Sequence, residues 1–205
     1  MGYNNVRRTM NDKVILDLCG GTGAWSKPYQ DNGYTIVNVS LPDDDVREYV
    51  PNEEILLSVY GILAAPPCTM FSLARTTAKT PRSFKQGMEI VIACLEIIWE
   101  IRYAHPLAFW CLENPMGYLR QFLGKPVFTF DPCDFGDSYT KKTDLWGYFN
   151  IPTKKPIELT PMEKYLCSQN NRLLPVISDI NGSKQSARRA ITPAGFAQAF
   201  YEANK

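Results

Sequence analysis

Apolar residues occupy Val14-Ile15-Leu16 and Leu18, then give way to Cys19-Gly20-Gly21-Thr22-Gly23. That pattern predicts a buried strand over Val14–Leu18, a glycine-rich turn, and a helix over Trp25–Asn32 ended by Gly33. Tyr34–Val39 alternates and reads as a second strand. Leu41-Pro42-Asp43-Asp44-Asp45 is a loop, with Asp45-Val46 as the end of a short third strand. An apolar run from Ile55 to Ala65, broken by Ser58, Tyr60 and Gly61, leads as a strand into Pro66-Pro67-Cys68. Phe84–Tyr103 is the clearest helix, because Ile90, Val91, Cys94, Leu95, Ile97, Ile98 and Ile101 recur at three- and four-residue steps. Phe109–Leu112 is the next strand, and Tyr118–Phe122 begins a short helix. Phe128–Phe130 and Thr143–Phe149 read as antiparallel strands. Thr192-Pro193 introduces a terminal helix over Phe196–Asn204. Alternation of strands and helices predicts an α/β fold, a single domain with a doubly wound, mostly parallel sheet.

Three strands end in residues that carry chemistry. The first feeds the glycine turn, whose glycines let the backbone bend and approach a ligand at a helix start. A phosphate loop is excluded, since no Gly-Lys-Ser/Thr follows. The dinucleotide pattern is incomplete, since no third glycine follows Gly21-Thr22-Gly23 at the required spacing. The second strand ends at Cys68 behind two prolines, which restrict the loop. Such a thiol is either reactive or a buried structural cysteine. The third ends in Glu113-Asn114-Pro115. Parallel strands put all three on one edge of the sheet, where open α/β sheets bind ligands.

Composition adds bounds. At 205 residues with 45% hydrophobic and 21% charged side chains, the chain has the makeup of a globular domain with a real core. The six cysteines (19, 68, 94, 111, 133 and 167) contain no C-x-x-C pair, which points to reduced thiols in a cytoplasmic protein and not to a zinc site. Met1–Asn11 is polar, with no signal peptide, and no apolar run reaches membrane-spanning length. The net charge of +1 is unevenly spread. Arg75, Lys79, Arg82 and Lys85 lie between Cys68 and Gly87 with no acid among them, and Tyr139–Ala190 carries nine Lys/Arg against four acids. This fits either a polyanionic substrate or a solvated basic face. The sole histidine, His105, sits between a helix and a strand, at the opposite edge, and reads as structural.

Taken together, these motifs resemble the cytosine-C5 methyltransferases, especially their small bacteriophage members. Asp17-Leu18-Cys19-Gly20-Gly21-Thr22-Gly23 resembles the family's S-adenosylmethionine motif. Ala65-Pro66-Pro67-Cys68 with Phe71-Ser72 resembles its Pro-Pro-Cys motif, and Glu113-Asn114 its Glu-Asn motif. Tyr139-Thr140-Lys141-Lys142-Thr143 loosely resembles Gln-x-Arg-x-Arg, and Ile191–Phe200 the closing helix. The order is the family's and spans nearly the whole chain.

The resemblance implies a Rossmann-like methyltransferase domain over 1–205, with 150–185 as a minimal recognition segment and 191–205 as the closing helix. It implies methyl transfer from S-adenosylmethionine to C5 of a flipped-out cytosine in DNA. Cys68 would attack C6, Glu113 would relieve charge at N3, and Lys141 would stand near the base, unless it is one of a surface Lys-Lys pair. The cofactor would meet Asp17, Cys19, Gly21, Gly23, Trp25, Ser40, Asp45, Val46 and Pro66. Ser72, Arg75, Asn114 and Lys142 would face the substrate. For Trp25 a place in the core, and for Asp45 a place in an acidic loop, stay open. A monomer without metal is expected, and restriction protection, base modification or another biological role stays open. The chain departs from the family at Cys19, where phenylalanine is usual, and at Val39-Ser40-Leu41, where an acid is usual. It also departs at Pro115 and in the lost glutamine and arginines of the Gln-x-Arg-x-Arg motif. The short recognition segment leaves RNA, single-stranded DNA or a free cytosine nucleotide as alternative substrates. The departures at Cys19 and Ser40 leave open a nucleic-acid-binding relative without catalysis.

Overall fold

The structure, a computed structural model, describes residues 13–73, 75, 78–163 and 190–205. Met1–Asn11 and most of the expected recognition segment lie outside the described residues. The sheet has six strands: β1 (Val14–Leu18), β2 (Thr35–Val39), β3 (Val59–Ala64), β4 (Phe109–Pro115), β5 (Phe128–Phe130) and β6 (Thr143–Tyr148), in the order β2-β1-β3-β4-β6-β5. β2, β1, β3 and β4 are mutually parallel. β6 runs against both β4 and β5. Helices flank this mixed, mostly parallel α/β sheet, an arrangement compatible with a Rossmann-like fold.

Strand alternation divides the core into two layers. Leu16, Leu18, Ile62, Ala64 and Leu112 join the layer under helix α3 (Phe84–Ala104), which contributes Val91, Cys94, Ile98 and Ile101. Ile15, Leu63, Phe109 and Cys111 join the opposite layer, with Tyr29 of helix α1 (Lys27–Asp31) and Phe196 and Phe200 of the C-terminal helix α5 (Ala194–Asn204). Rings dominate this second layer. Phe130 stacks on Phe196 with centroids 4.0 Å apart, and Phe200 meets Trp25 at 5.3 Å. The end of α5 is tied to the chain after β6, where Asn204 Oδ1 accepts from the Asn150 backbone N–H at 2.7 Å and Asn204 Nδ2 donates to Asn150 O at 3.0 Å.

Two expectations are corrected. The run from Ile55 to Ala65 is not one strand, because helix α2 (Glu53–Ser58) takes its first part and β3 begins only at Val59. The Asn52 side chain accepts from Ile55 N at 2.9 Å, and Glu53 and Glu54 occupy the first turn. A side-chain cap and early acids favour a helix start, which apolar periodicity over so short a run does not reveal. Asp45-Val46 is not a strand end. The backbone N–H groups of Glu48 and Tyr49 bond back to Asp45 O, closing a turn that buries Val46 in the α3-side layer. A short helix, α4 (Arg120–Leu123), follows β4 as expected.

Phe200 is fully buried among Trp25, Phe109 and Phe196. Phe200→Ala is expected to lower the unfolding free energy by about 3–5 kcal/mol. Urea denaturation checks this, and a loss under about 1 kcal/mol would mean that α5 does not close the core.

Candidate active site at the carboxyl edge of the sheet

Because β1, β3 and β4 are parallel, the glycine turn, the Pro-Pro-Cys loop and Glu113 all leave the same edge of the sheet, as expected. The reversed strand adds a fourth component. Thr143 begins β6 opposite Pro115 at the end of β4, so the residues just before Thr143 arrive beside Glu113. Lys141 Nζ lies 4.0 Å from Glu113 Oε1, and both side chains are only 15% exposed. Burial pushes the Glu113 carboxyl above its ordinary range. The Lys141 ammonium opposes that shift and the Asp144 carboxylate adds to it. Asp144, which sequence reasoning missed, is fully buried and grips Arg120 through two bonds of 2.6 Å. Lys142 is exposed, and its carbonyl accepts from Met116 N at 2.8 Å.

Asn114 was expected to face the substrate. It is instead fully buried and donates from Nδ2 to Pro66 O at 2.8 Å, so it positions the cysteine loop. Pro66 is thereby held from the neighbouring strand. Beyond it, Cys68–Met70 forms a 3₁₀ turn, with the N–H groups of Phe71 and Ser72 returning to Cys68 O at 2.9 and 2.8 Å. Cys68 is half-buried. Ser72 bridges Gly117, and Tyr118 N donates to Phe71 O at 2.9 Å. Only glycine fits at 117, since a Cβ there would come within 2.3 Å of Phe71 O.

Arg82, noted in the sequence only as part of a basic stretch, clamps the same loop. It donates to Met70 O and, at 3.1 Å, to Ser72 O. Arg75 donates to Thr80 Oγ1 at 2.8 Å, within its own segment. No sequence pattern distinguishes two arginines seven residues apart, one a clamp and the other bound locally.

The glycine turn is fixed from beneath and open above. Cys19, Gly21 and Gly23 all have positive φ, and Gly21 and Thr22 are exposed. Ser40, expected at the cofactor ribose, instead accepts from Gly21 N at 2.8 Å and donates to Asn38 Oδ1 at 2.8 Å. Asn38 Nδ2 in turn reaches Gly21 O at 3.1 Å. Asn38 was missed because a polar residue on an alternating strand looks like a solvent-facing position. Asp17 lies fully buried under the turn, where Oδ2 accepts from Ser26 Oγ at 2.5 Å, and a Cβ at Gly20 would collide with its carboxyl at 2.3 Å.

Four further cofactor expectations change. Trp25 is 1% exposed and belongs to the aromatic core. Asp45 is engaged by Arg47, whose backbone N–H and Nε donate to Oδ1 at 3.0 and 2.9 Å. That pairing pulls the carboxyl down to about 2. Val46 is buried in the core. Cys19 packs against the α3-side layer that contains the buried Cys94, whose thiol pulls the Cys19 thiol below its ordinary range. Among the described residues, no cluster of three or more His, Cys, Asp or Glu is arranged to hold a metal ion. No helix among them is long and apolar enough to cross a membrane. No protein-family model matches the chain, and no curated protein matches it.

Burial raises the Asp17 carboxyl to about 6, against the lowering bond from Ser26. The folded state therefore holds this proton more tightly than the unfolded chain does. Its contribution to stability is full below about pH 4 and is lost as pH rises through 6. A loss of about 3 kcal/mol between pH 4 and pH 7 is expected from this one group. Urea unfolding of the native protein against Asp17→Asn across that range isolates it. Parallel pH profiles for the two proteins would show that Asp17 is not the source.

Proposed function

We propose that this chain is a Rossmann-like methyltransferase that uses S-adenosylmethionine, and specifically one that methylates C5 of cytosine in DNA. The observation that carries the reading is the junction of β3, β4 and β6. Asn114 anchors Pro66 two residues before Cys68, while Glu113 beside it faces Lys141 at 4.0 Å. A thiol, a carboxyl whose hold on its proton burial strengthens, and a cation together meet the needs of cytosine C5 chemistry.

In this reading the Cys68 thiolate adds to C6, and the electrons of the C5–C6 bond move into the ring. Glu113 donates its proton toward N3 as negative charge grows there, a role suited to a carboxyl raised by burial. Lys141 balances the Glu113 carboxylate once that proton has gone. S-adenosylmethionine supplies the electrophilic methyl group that C5 takes. Loss of the C5 proton to water and return of the N3 proton to Glu113 restore the double bond and expel Cys68 as thiolate.

The exposed glycine turn, with Pro66 beside it, fits the cofactor. The turn is held rigid by Ser40, Asn38 and the Asp17 carboxyl below Gly20, and Gly21 has open space where a Cβ would lie. Ser40 and Asp45 fit less well, since their acceptors already serve Gly21 and Arg47. Those two contacts favour one second reading, a nucleic-acid-binding relative that has lost the cofactor.

The deciding experiment is mass spectrometry of the protein after incubation with S-adenosylmethionine and duplex DNA containing 5-fluorocytosine. Fluorine at C5 blocks the final elimination. An adduct on Cys68 is expected, with none in Cys68→Ala and trapping slowed by about 10²–10⁴ in Glu113→Gln. Cofactor binding without an adduct would redirect the reading to RNA or a nucleotide. Neither binding nor adduct would leave the second reading.

A further inference from the structure

The cysteine loop is bordered by a surface that the chemistry above does not use. Phe71, three residues past Cys68, anchors a cluster of rings, with Phe84 at 6.3 Å and Phe122 at 6.0 Å. Phe84 also meets Tyr118 at 5.6 Å and Phe122 at 5.5 Å. Phe71 is fully buried, yet Tyr118 is 41% and Phe122 46% exposed. Large rings held by packing and still open to solvent beside a reactive loop are the usual makings of a binding surface. The cluster is rigid, because Arg82 lies 4.8 Å from the Tyr118 ring centre while its guanidinium bonds the cysteine loop.

The charge around these rings has one sign. The two segments that meet here, 66–88 and 116–127, contain Arg75, Lys79, Arg82, Lys85, Arg120 and Lys125 and no acid. Arg120 is committed to Asp144. Lys85 and Lys125 are exposed, and neither has an ion-pair partner among the described residues. Exposed rings with a wholly cationic rim match a polyanion that also offers flat faces. A single-stranded nucleic acid does so, whereas a duplex hides its base faces in the stack.

We propose that Tyr118 and Phe122 form a stacking platform for unpaired bases flanking the target cytosine, with Lys85 and Lys125 receiving the strand's phosphates. The inference rests on the cytosine-methyltransferase reading for the class of polymer, and it makes the preferred substrate single-stranded. Duplex DNA is then used only where its bases are already unpaired or easily opened.

Fluorescence anisotropy with a labelled short oligo(dT), which contains no cytosine, tests the platform without turnover. The single strand is expected to bind more tightly than an oligo(dT)·oligo(dA) duplex of the same length. Tyr118→Ala with Phe122→Ala should weaken it about tenfold or more. Tyr118→Phe with Phe122→Tyr should keep the affinity. Lys85→Glu with Lys125→Glu should weaken it and flatten its salt dependence. Duplex bound as tightly as single strand, no detectable binding, unchanged affinity in the alanine pair, or equal loss in the ring-preserving pair would each overturn the proposal. Affinity lost in the alanine pair with no adduct on single-stranded DNA containing 5-fluorocytosine would keep the platform and reject the chemistry. An adduct with oligo(dT) affinity unaffected would reject the platform alone.

Discussion

The arrangement of this edge depends on one buried hydrogen bond, from the Asn114 amide to the Pro66 carbonyl at 2.8 Å. Pro66 cannot join the sheet, because it lies beyond the last paired residue of β3, Ala64. Its carbonyl would otherwise be an unsatisfied buried acceptor, which costs on the order of 1–3 kcal/mol. Asn114 satisfies it with a side chain that the β4 backbone holds rigid, flanked by Glu113 on one side and Pro115 on the other. The position of the thiol loop relative to the carboxyl is thus set by adjacent strands and one amide. Arg82 and the close approach at Gly117 then lock the far side of the loop.

A second constraint is electrostatic. Three carboxyl groups, Asp17, Glu113 and Asp144, lie buried or nearly so along the ends of β1, β4 and β6, and each is accommodated differently. Asp144 is fully buried, and its desolvation is offset by two bonds from the partly exposed Arg120 and one from Thr129 Oγ1. Asp17 has one hydroxyl donor and no cation, so burial raises it. Glu113 has a cation at the limit of an ion pair, too far to cancel its burial. The same functional group is therefore held in three ways within one sheet edge: paired with a cation, supported by one hydroxyl, and raised by burial beside a more distant lysine.

The opposite layer serves a different purpose. Its rings, from Trp25 to Tyr201, weld α1 and α5 to the sheet and include the tryptophan that the glycine turn suggested as a ligand contact. Burying Trp25 there leaves the turn without an aromatic cover from that position. Any cofactor would be held instead by backbone groups of the turn and by the loop that carries Cys68.

Much of this was legible in the chain itself. Apolar runs at Val14–Leu18, broken only by Asp17, and at Phe109–Leu112, and the three- to four-residue spacing in α3, fix strands and helix because burial on one or both faces demands those periods. Parallel order then follows from strand–helix alternation, and with it the common edge for Cys68, Glu113 and the glycine turn. The sequence could not decide which polar side chains look outward. Ser40, Asn114 and Asp45 had the composition of ligand contacts, yet the nearest unsatisfied donor or acceptor for each belongs to the protein: Gly21, Pro66 and Arg47. Nor could periodicity place Asp144, or bring Lys141 to the edge without the resemblance, because both depend on β6 entering the sheet antiparallel beside β4. Local periodicity is the same for either strand direction, so only the tertiary pairing of Thr143 with Pro115 brings the lysine to the carboxyl.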